Sequence, residues 1–290
     1  MAETLRRLPR PDGATVCYAL TTAAQRAAGR AVLLLHGLAS NKSRYSEFVE
    51  QTQLSARFDL LRVDLRGHGE SHARGALSLE IWADDLAAIL AAEGHPRAIL
   101  VGHSLGAQVA LAFAVRYPQR ATALALIDPL LRAGLHGRGR WLARAAPLLA
   151  AAARLVRLAN ALGLRRRQVV PYDLRALDLQ ARAALGTPQA EAEFVRRYSS
   201  TCEDLRHMHT ADYLQDLVEL VRPLPLAAVS QPLLALLSRR GTFADPQATA
   251  RALAVLARVR IEWIDCQHWP LTERPHEVRA AIEAFCAEFG

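Results

Sequence analysis

Residues 98–111 read AILVGHSLGAQVAL, in which a Gly-His-Ser-Leu-Gly pentapeptide separates two apolar runs. The first run, Ala98–Val101, predicts a strand buried on both faces, and Ala107–Tyr117 predicts a helix that stops at Pro118. The pentapeptide therefore matches G-x-S-x-G between a strand and a helix. The tight turn lifts the serine hydroxyl above the sheet edge and needs small neighbours. We predict that Ser104 is a nucleophile, with the positive end of the helix beside a developing oxyanion.

Apolar runs of the same kind recur on both sides of this unit. The expected strands are Ala14–Leu20, Ala31–Leu35, Phe58–Val63, Ala121–Ile127, Pro232–Leu237 and Val259–Ile264. Helices are expected at Ser78–Glu93, near Pro246–Ala257, and at His276–Phe289. From about Leu130 to Pro225 only amphipathic Ala/Leu/Arg-rich stretches occur, with Trp141–Leu162 and Ala190–Thr201 the clearest helices. This order predicts an α/β fold whose parallel sheet of strand–helix units is interrupted by a helical insertion.

The length and composition predict one large domain, or a domain with a sizeable insertion, without a membrane span, and no cofactor is expected. Hydrophobic residues make up 51% of the 290 residues, but no uncharged apolar run reaches the length of a transmembrane helix. The first residues lack the apolar core of a secretory signal, so a cytoplasmic location is expected. The scattered cysteines have no metal-ligand spacing and are interpreted as reduced thiols, and His207 and His209 alone do not predict a metal site. These cysteines are Cys17, Cys202, Cys266 and Cys286.

The net charge of +8 raises the question of a nucleic-acid partner. Nearly all of the positive charge is arginine, with Lys42 the only lysine, which is typical of a GC-rich genome. Apart from the short cluster Arg165–Arg167, the basic residues are dispersed and lack interleaved aromatic residues for base stacking. We therefore expect no nucleic-acid partner, while an acidic substrate or an acidic carrier protein stays open.

Three further motifs accompany the serine pentapeptide. His36-Gly37 follows a predicted strand, an Asp-Leu-Arg-Gly-His-Gly-Glu-Ser loop occupies 64–71, and Gln-His-Trp-Pro-Leu-Thr-Glu-Arg-Pro occupies 267–275. With these motifs the chain resembles the α/β-hydrolase family over nearly its whole length. The resemblance implies a mostly parallel eight-stranded sheet flanked by helices, with a helical cap between strands six and seven. It also implies a core domain of residues 1–129 and 226–290, and a cap of residues 130–225.

The resemblance also suggests which residues form a site. The backbone N–H groups of Leu38 and Leu105 would hold the oxyanion. His268 would be the general base, a role that suits imidazole because its ordinary pKa lies near neutral pH. Gln267 replaces the glycine that the family usually carries before this histidine. The 64–71 loop, including Asp64 and His68, is expected to be structural, and His103 is expected to pack or position.

The acid that orients His268 is the open point of the sequence. The usual acid position after the family's seventh strand falls at or near Gly241, which cannot orient an imidazole. Two candidates preserve the chain order of serine, acid and histidine. Asp128 ends the sixth strand, where some family members carry their acid, and Asp245 would need a longer turn than usual. We favour Asp128.

The predicted function is hydrolysis of a medium-sized hydrophobic carboxylic ester or thioester through an acyl-enzyme. A carbon–carbon bond hydrolase, an amidase or lactonase, and an acyltransferase would use the same residues. Family branches with an aspartate nucleophile, the haloalkane dehalogenases and epoxide hydrolases, are excluded by Ser104. A non-catalytic member that binds a small ligand is the alternative of another class. Cap residues that could face a substrate are Trp141, Leu149, Tyr172, Phe194, Tyr198, Met208 and Tyr213.

Overall fold

The computed structural model describes residues 3–71, 75–164, 169–170 and 172–290, so the Arg165–Arg167 cluster lies outside the described residues. Eight strands form a single sheet. They are β1 (Glu3–Pro9), β2 (Thr15–Thr21), β3 (Ala31–Leu35), β4 (Asp59–Val63), β5 (Ala98–His103), β6 (Ala121–Ile127), β7 (Leu233–Ser238) and β8 (Val259–Ile264). The strands from β3 to β8 run parallel, and β2 is antiparallel to both of its neighbours.

The strand order is β1-β2-β4-β3-β5-β6-β7-β8. After β3 the chain adds β4 on one side of β3 and then returns to add β5 on the other side. The connections that leave β3 and β5 therefore diverge, which opens a crevice at the carboxyl ends of these two strands. Leu38 follows β3 and Ser104 follows β5, so the topology brings the two predicted site segments to the same crevice.

Eleven α-helices accompany the sheet in the described part of the chain. They are α1 (Ser46–Gln51), α2 (Leu79–Ala92), α3 (Leu105–Arg116), α4 (Arg138–Ala161), α5 (Leu174–Ala184), α6 (Pro188–Tyr198), α7 (Thr201–His207), α8 (Thr210–Leu220), α9 (Pro246–Leu253), α10 (Pro270–Glu273) and α11 (Pro275–Ala287). Helices α2, α3 and α9 bury apolar side chains on one face of the sheet, and α1 and α11 do so on the other. Because both faces are covered, the central strands are mainly apolar.

Helices α4 to α8 lie between β6 and β7 and are joined to the rest of the chain by buried charges. Arg44, in the turn after β3, donates from Nη1 to both carboxylate oxygens of Asp178 in α5, at 2.5 Å each. Tyr198 of α6 donates to the same carboxylate at 2.9 Å. A buried arginine needs such a partner, because an unpaired charge would carry the full penalty of desolvation. This ion pair fixes the helical segment beside the turn that carries Leu38.

The α/β-hydrolase fold, with its eight mostly parallel strands, is confirmed. Three predicted strands, Ala31–Leu35, Ala121–Ile127 and Val259–Ile264, have the bounds that were expected. Strand β1 was not identified in the sequence, because its residues are mostly exposed and show no alternation of apolar and polar side chains. Among the described residues, no helix combines the length and the hydropathy that crossing a bilayer requires.

Candidate active site

Ser104 occupies a strained turn between β5 and α3. Its φ of 51° lies in the left-handed region, where a residue with a side chain costs about 1–3 kcal/mol. Its N–H donates to the Ile127 carbonyl at 3.0 Å, which ties the turn to the neighbouring strand β6. The surrounding structure therefore imposes the strain, and the hydroxyl is held at the mouth of the crevice.

The two glycines of the pentapeptide are required by close backbone contacts. A Cβ at Gly102 would lie 2.3 Å from the Gly106 carbonyl oxygen, and a Cβ at Gly106 would lie 2.2 Å from the Leu35 oxygen. Both distances are far inside van der Waals contact with backbone atoms, which cannot rotate away as a side chain can. The turn thus depends on glycine at both positions.

We expect Gly106→Ala to destabilise the fold by about 3 kcal/mol, because strand β3 or helix α3 must move to relieve the overlap. Unfolding in urea, followed by circular dichroism, measures the loss. Gly186→Ala is the matched control, since Gly186 is exposed, lacks a positive φ, and has open space for 4 Å around the position of an added Cβ. Equal stability of the two variants would contradict this explanation of the turn.

His268 contacts both Ser104 and Asp128. Its Nε2 lies 3.0 Å from Ser104 Oγ, and its Nδ1 lies 2.6 Å from Asp128 Oδ2. Ser104 and His268 are nearly inaccessible to solvent. A carboxylate at Nδ1 keeps the proton on that nitrogen and leaves Nε2 free to accept the serine proton. The three side chains therefore form one continuous hydrogen-bonded chain.

Asp128 is held by its own set of contacts at the end of β6. The Ser238 N–H donates to its Oδ1 at 2.9 Å, and its own N–H donates to the Leu236 carbonyl at 2.8 Å. Its φ of 43° turns the side chain out of the strand direction. The alternative acid, Asp245, instead caps α9, accepting the Gln247 N–H at 2.9 Å. The structure brings Asp128 to His268, and the side-chain contacts of Asp245 are with its own helix.

The loop around His268 is fixed by Glu273. This carboxylate accepts the N–H groups of Gln267 at 3.0 Å and Trp269 at 3.3 Å, on either side of the histidine. The carbonyl of His268 lies 2.9 Å from Nε2 of His103, which therefore donates to it. Burial, and then the nearby His268, lower the pKa of His103 well below its usual range. These contacts hold the backbone of His268 from three directions.

The turn after β3 lies directly against Ser104. A Cβ at Gly37 would lie 3.1 Å from His103 Nδ1 and 3.3 Å from the Ser104 Cβ, so a side chain here would require its neighbours to shift slightly. His36 accepts the Leu65 N–H at Nε2 and donates from Nδ1 to the Gly37 carbonyl at 2.8 Å. That carbonyl belongs to the same planar peptide as the Leu38 N–H, so His36 also sets the direction of that N–H. Leu105, at the start of α3, has an N–H in the helix's first turn, where intrahelical acceptors are missing.

A cavity of about 620 Å³ opens beside these groups. The core contributes Leu38, Ser104, Phe243, His268 and Trp269 to its wall. The segment between β6 and β7 contributes the opposite wall, with Leu142, Tyr198, Tyr213, Leu217 and Val221 among its members.

Two charged side chains, Arg44 and Asp204, also line the cavity. Burial raises the pKa of Asp204 to about 6. The cavity is thus mainly apolar, with a few polar groups that could orient a ligand.

The other candidates from the sequence have different positions. Tyr172 lines a neighbouring cavity of about 370 Å³, Leu149 is half-buried, and Phe194 packs edge-on against Trp269. Met208 is buried, and Trp141 is exposed.

The histidines near the end of α7 have other contacts. The ring of His207 forms a hydrogen bond with the Val170 carbonyl and stacks on Tyr172. In the described part of the chain, no cluster of three His, Cys, Asp or Glu side chains could bind a metal. Asp64 accepts the backbone N–H and the ammonium of Lys42, each at 2.7 Å.

A buried cluster of His68, Asp212 and Asp216 lies against His36, in the turn that follows β3. The ring of His68 contacts that of His36 edge-on, and His68 Nε2 lies 3.0 Å from Oδ2 of Asp216 in α8. Burial, and then the Asp216 carboxylate, raise the pKa of Asp212 to about 7, against the lowering effect of Arg157 and His68. Burial also raises the pKa of Asp216. The sequence did not indicate this cluster, because its members come from segments far apart in the chain.

We expect Asp212 to contribute stability that is lost as the pH rises from about 4 to about 7. Over this window folded Asp212 keeps a proton that the unfolded chain, with a pKa of about 3.9, releases. Asp212→Asn removes this dependence, up to about 4 kcal/mol across the window. Urea unfolding at stepped pH measures it, with Asp173→Asn at an exposed helix cap as the control. Parallel stability curves for wild type and Asp212→Asn would rule out the raised pKa.

Comparison with known proteins agrees with the fold. The family model described as the alpha/beta hydrolase family matches residues 32–281. A 2-(acetamidomethylene)succinate hydrolase of Mesorhizobium japonicum is 34% identical over 105 residues, which is 36% of this chain and 37% of that protein. The chain thus aligns with only about a third of the length of such curated relatives.

Two solved structures align over almost the whole chain. A hydrolase from Pseudomonas aeruginosa has a TM-score of 0.68 at 21% identity, covering 97% of this chain and 98% of its own. A thermophilic esterase from Thermogutta terrifontis has a TM-score of 0.66 at 23% identity, covering 99% of both chains. At these identities the structural matches establish the fold, and the family model covers most of the sequence. The chain is a member of the alpha/beta hydrolase family.

Proposed function

We propose that this enzyme hydrolyses a carboxylic ester or thioester through an acyl-enzyme. Ser104 is the nucleophile, His268 the general base, Asp128 the acid that orients it, and the N–H groups of Leu38 and Leu105 the oxyanion donors. The observation that carries the proposal is the hydrogen-bonded chain from Ser104 Oγ through His268 to Asp128, with distances of 3.0 and 2.6 Å.

In the first half-reaction Ser104 Oγ attacks the substrate carbonyl carbon while His268 Nε2 takes the hydroxyl proton. The negative oxygen of the tetrahedral intermediate is stabilised by the two N–H groups. When the intermediate collapses, the bond to the alcohol or thiol breaks, and Nε2 returns the proton to that leaving group. Asp128 stabilises the positive imidazole in between without taking its proton.

In the second half-reaction a water molecule repeats the attack on the acyl-enzyme. His268 takes a proton from the water as its oxygen bonds to the acyl carbon. Collapse of the second intermediate breaks the bond to Ser104 Oγ, which takes back the proton from Nε2 and releases the carboxylic acid. If an alcohol attacked the acyl-enzyme in place of water, the same residues would catalyse acyl transfer. The access of water to the cavity therefore decides between hydrolysis and acyl transfer.

We further propose that residues 130–225 act as a cap domain on a core of residues 1–129 and 226–290. Support comes from the cavity wall, to which α4, α6, α7 and α8 all contribute opposite Ser104. The volume of about 620 Å³ and the mainly apolar lining favour a medium-sized hydrophobic acyl or aryl group. All four cysteines are unpaired thiols, which supports a reducing, cytoplasmic location.

The experiment is a series of p-nitrophenyl esters from acetate to dodecanoate, with wild type and Ser104→Ala assayed in parallel. We expect turnover that depends on Ser104, with kcat/KM highest for a chain of intermediate length. Failure of the wild type on every ester would favour a non-catalytic, ligand-binding member of the fold. Carbon–carbon, amide and lactone substrates would engage the same three side chains, so activity on one of these classes alone would replace the ester in the proposal.

A further inference from the structure

The outer side of α4 carries large apolar side chains in contact with solvent. Trp141, Leu148, Leu155 and Leu162 are 69%, 75%, 67% and 74% exposed. They recur every seven residues, a spacing that drifts by only about 20° per repeat around a straight helix, so they form one stripe. Leu158, which is 60% exposed, widens it. We call these five residues the α4 stripe.

A stripe of this kind is unusual for a protein surface in water. Single exposed leucines are common, but a contiguous apolar row along a helix marks a contact with something else. The inner side of α4 has its partner already, because Ala153 is fully buried and Arg157 pairs with Asp212 of α8. The α4 stripe faces away from that contact and lacks a cover in the described structure.

The charges that α4 itself carries are of one sign. Between Asp128 and Asp173 the sequence contains nine arginines and no aspartate or glutamate. Three of these arginines are exposed, Arg144 within the angular range of the stripe and Arg140 and Arg154 along one edge of it. Elsewhere on the surface several exposed arginines pair with carboxylates, as Arg116 does with Asp84. None of the three has an ion pair within the described residues.

The exposed apolar row and the arginines beside it favour an anionic membrane over a second copy of this chain as the surface that covers the stripe. A second copy docking through the same face would bring two rows of arginine together without a carboxylate from either helix. A row of leucines with a tryptophan, bordered by arginines, is the composition of helices that lie in the headgroup region of an anionic membrane. The 24-residue helix, about 36 Å long, would lie flat on such a surface.

We propose that α4 is a membrane-docking helix for anionic lipid surfaces. Trp141, Leu148, Leu155, Leu158 and Leu162 enter the boundary between headgroups and acyl chains, and the arginines beside them contact the lipid phosphates. Gly139 and Leu142 of the same helix line the cavity beside Ser104. Docking therefore places a bilayer about one helix diameter, roughly 10 Å, from the cavity wall. Entry of an apolar substrate from the lipid rests on the proposed function, but docking itself does not.

The test is co-sedimentation of the purified protein with vesicles of phosphatidylcholine alone or mixed equally with phosphatidylglycerol. We expect binding to the mixed vesicles to be at least about tenfold tighter, and to weaken with added salt. Leu148→Ser/Leu155→Ser is expected to weaken it by about tenfold or more. The matched control is Leu5→Ser/Val255→Ser, which removes two residues of similar exposure, 63% and 68%, from other parts of the surface.

Because all four substituted side chains are exposed, thermal unfolding should show intact folds for both variants. Equal affinity for neutral and mixed vesicles, or an equal loss in the control variant, would overturn the proposal. It would also be overturned if the protein ignored both kinds of vesicle and instead formed a dimer that Leu148→Ser/Leu155→Ser dissociates, since the stripe would then be a contact between copies. Catalysis is absent from these readouts, so their failure is separate from failure of the proposed function.

Discussion

Ser104→Ala is expected to lower kcat/KM for an activated ester by at least about 10⁴-fold. The methyl group cannot attack a carbonyl, and the remaining oxyanion donors and cavity retain only a small part of the rate. The substitution removes one buried oxygen whose hydrogen bond goes to His268 at 3.0 Å. The strained turn is still formed by backbone contacts, so the variant is expected to fold.

The control for this result is Ser55→Ala, which removes another buried serine hydroxyl that is not among the residues lining the cavity. It is expected to keep the activity of the wild type. If Ser104→Ala retained more than about a tenth of the wild-type rate on the same ester, the acyl-enzyme would not form on Ser104. The nucleophile would then have to be water activated by His268.

Asp128→Asn is expected to lower kcat by about 10⁴-fold. Asparagine is nearly the same size, so the turn and the hydrogen bond from the Ser238 N–H are kept. Its amide, however, does not fix the proton on Nδ1 of His268, and the tautomer with the proton on Nε2 cannot accept a proton from Ser104. A steady-state assay on an activated ester measures the loss, which should fall on kcat rather than on KM.

Asp245→Asn is the matched change at the competing acid. Asparagine caps a helix about as well as aspartate, so α9 keeps its N-terminal cap and the fold is unaffected. We expect wild-type turnover from this variant. Full activity in Asp128→Asn together with inactivity in Asp245→Asn would assign the acid to Asp245 and contradict the geometry at the end of β6.

Much of the core could be predicted because its strands are buried on both faces. The short apolar runs at β3, β5 and β6 are typical of buried strands and of little else. The glycines on either side of Ser104 indicate a tight turn between β5 and α3. The helices between β6 and β7 were harder to delimit. Their Ala/Leu/Arg-rich sequence repeats the same amphipathic pattern across helix ends, so α5, α7 and α8 have no clear borders in the sequence.

The acid was left open because its position depends on loop geometry rather than on a local motif. The φ of 43° at Asp128 and the N–H from Ser238 arise only when β6 and β7 are paired. One local signal was present at the other candidate. Asp245 directly precedes Pro246, and an aspartate followed by proline at the start of a helix is typical of an N-cap.

Contacts between distant segments could not be predicted from the sequence either, because they too depend on how the elements pack in the fold. Arg44 and Asp178 are 134 residues apart in the chain, and the pairing of His68 with Asp216 joins a core loop to α8. A motif can indicate that the 64–71 loop shapes the site, but it cannot name a partner on another element. The exposed stripe of α4 was likewise not predictable, since the apolar side of an amphipathic helix is normally expected to pack against the rest of the protein.

The most direct test of the central claim is the intact mass of the purified protein after treatment with a fluorophosphonate probe. Such probes modify a serine only when a neighbouring base activates it, whatever the natural substrate is. We predict a single adduct on the wild type, mapped to Ser104 by peptide sequencing, and none on Ser104→Ala or His268→Ala. An unmodified wild-type protein, or an adduct that persists in Ser104→Ala, would contradict the assignment of Ser104 as an activated nucleophile.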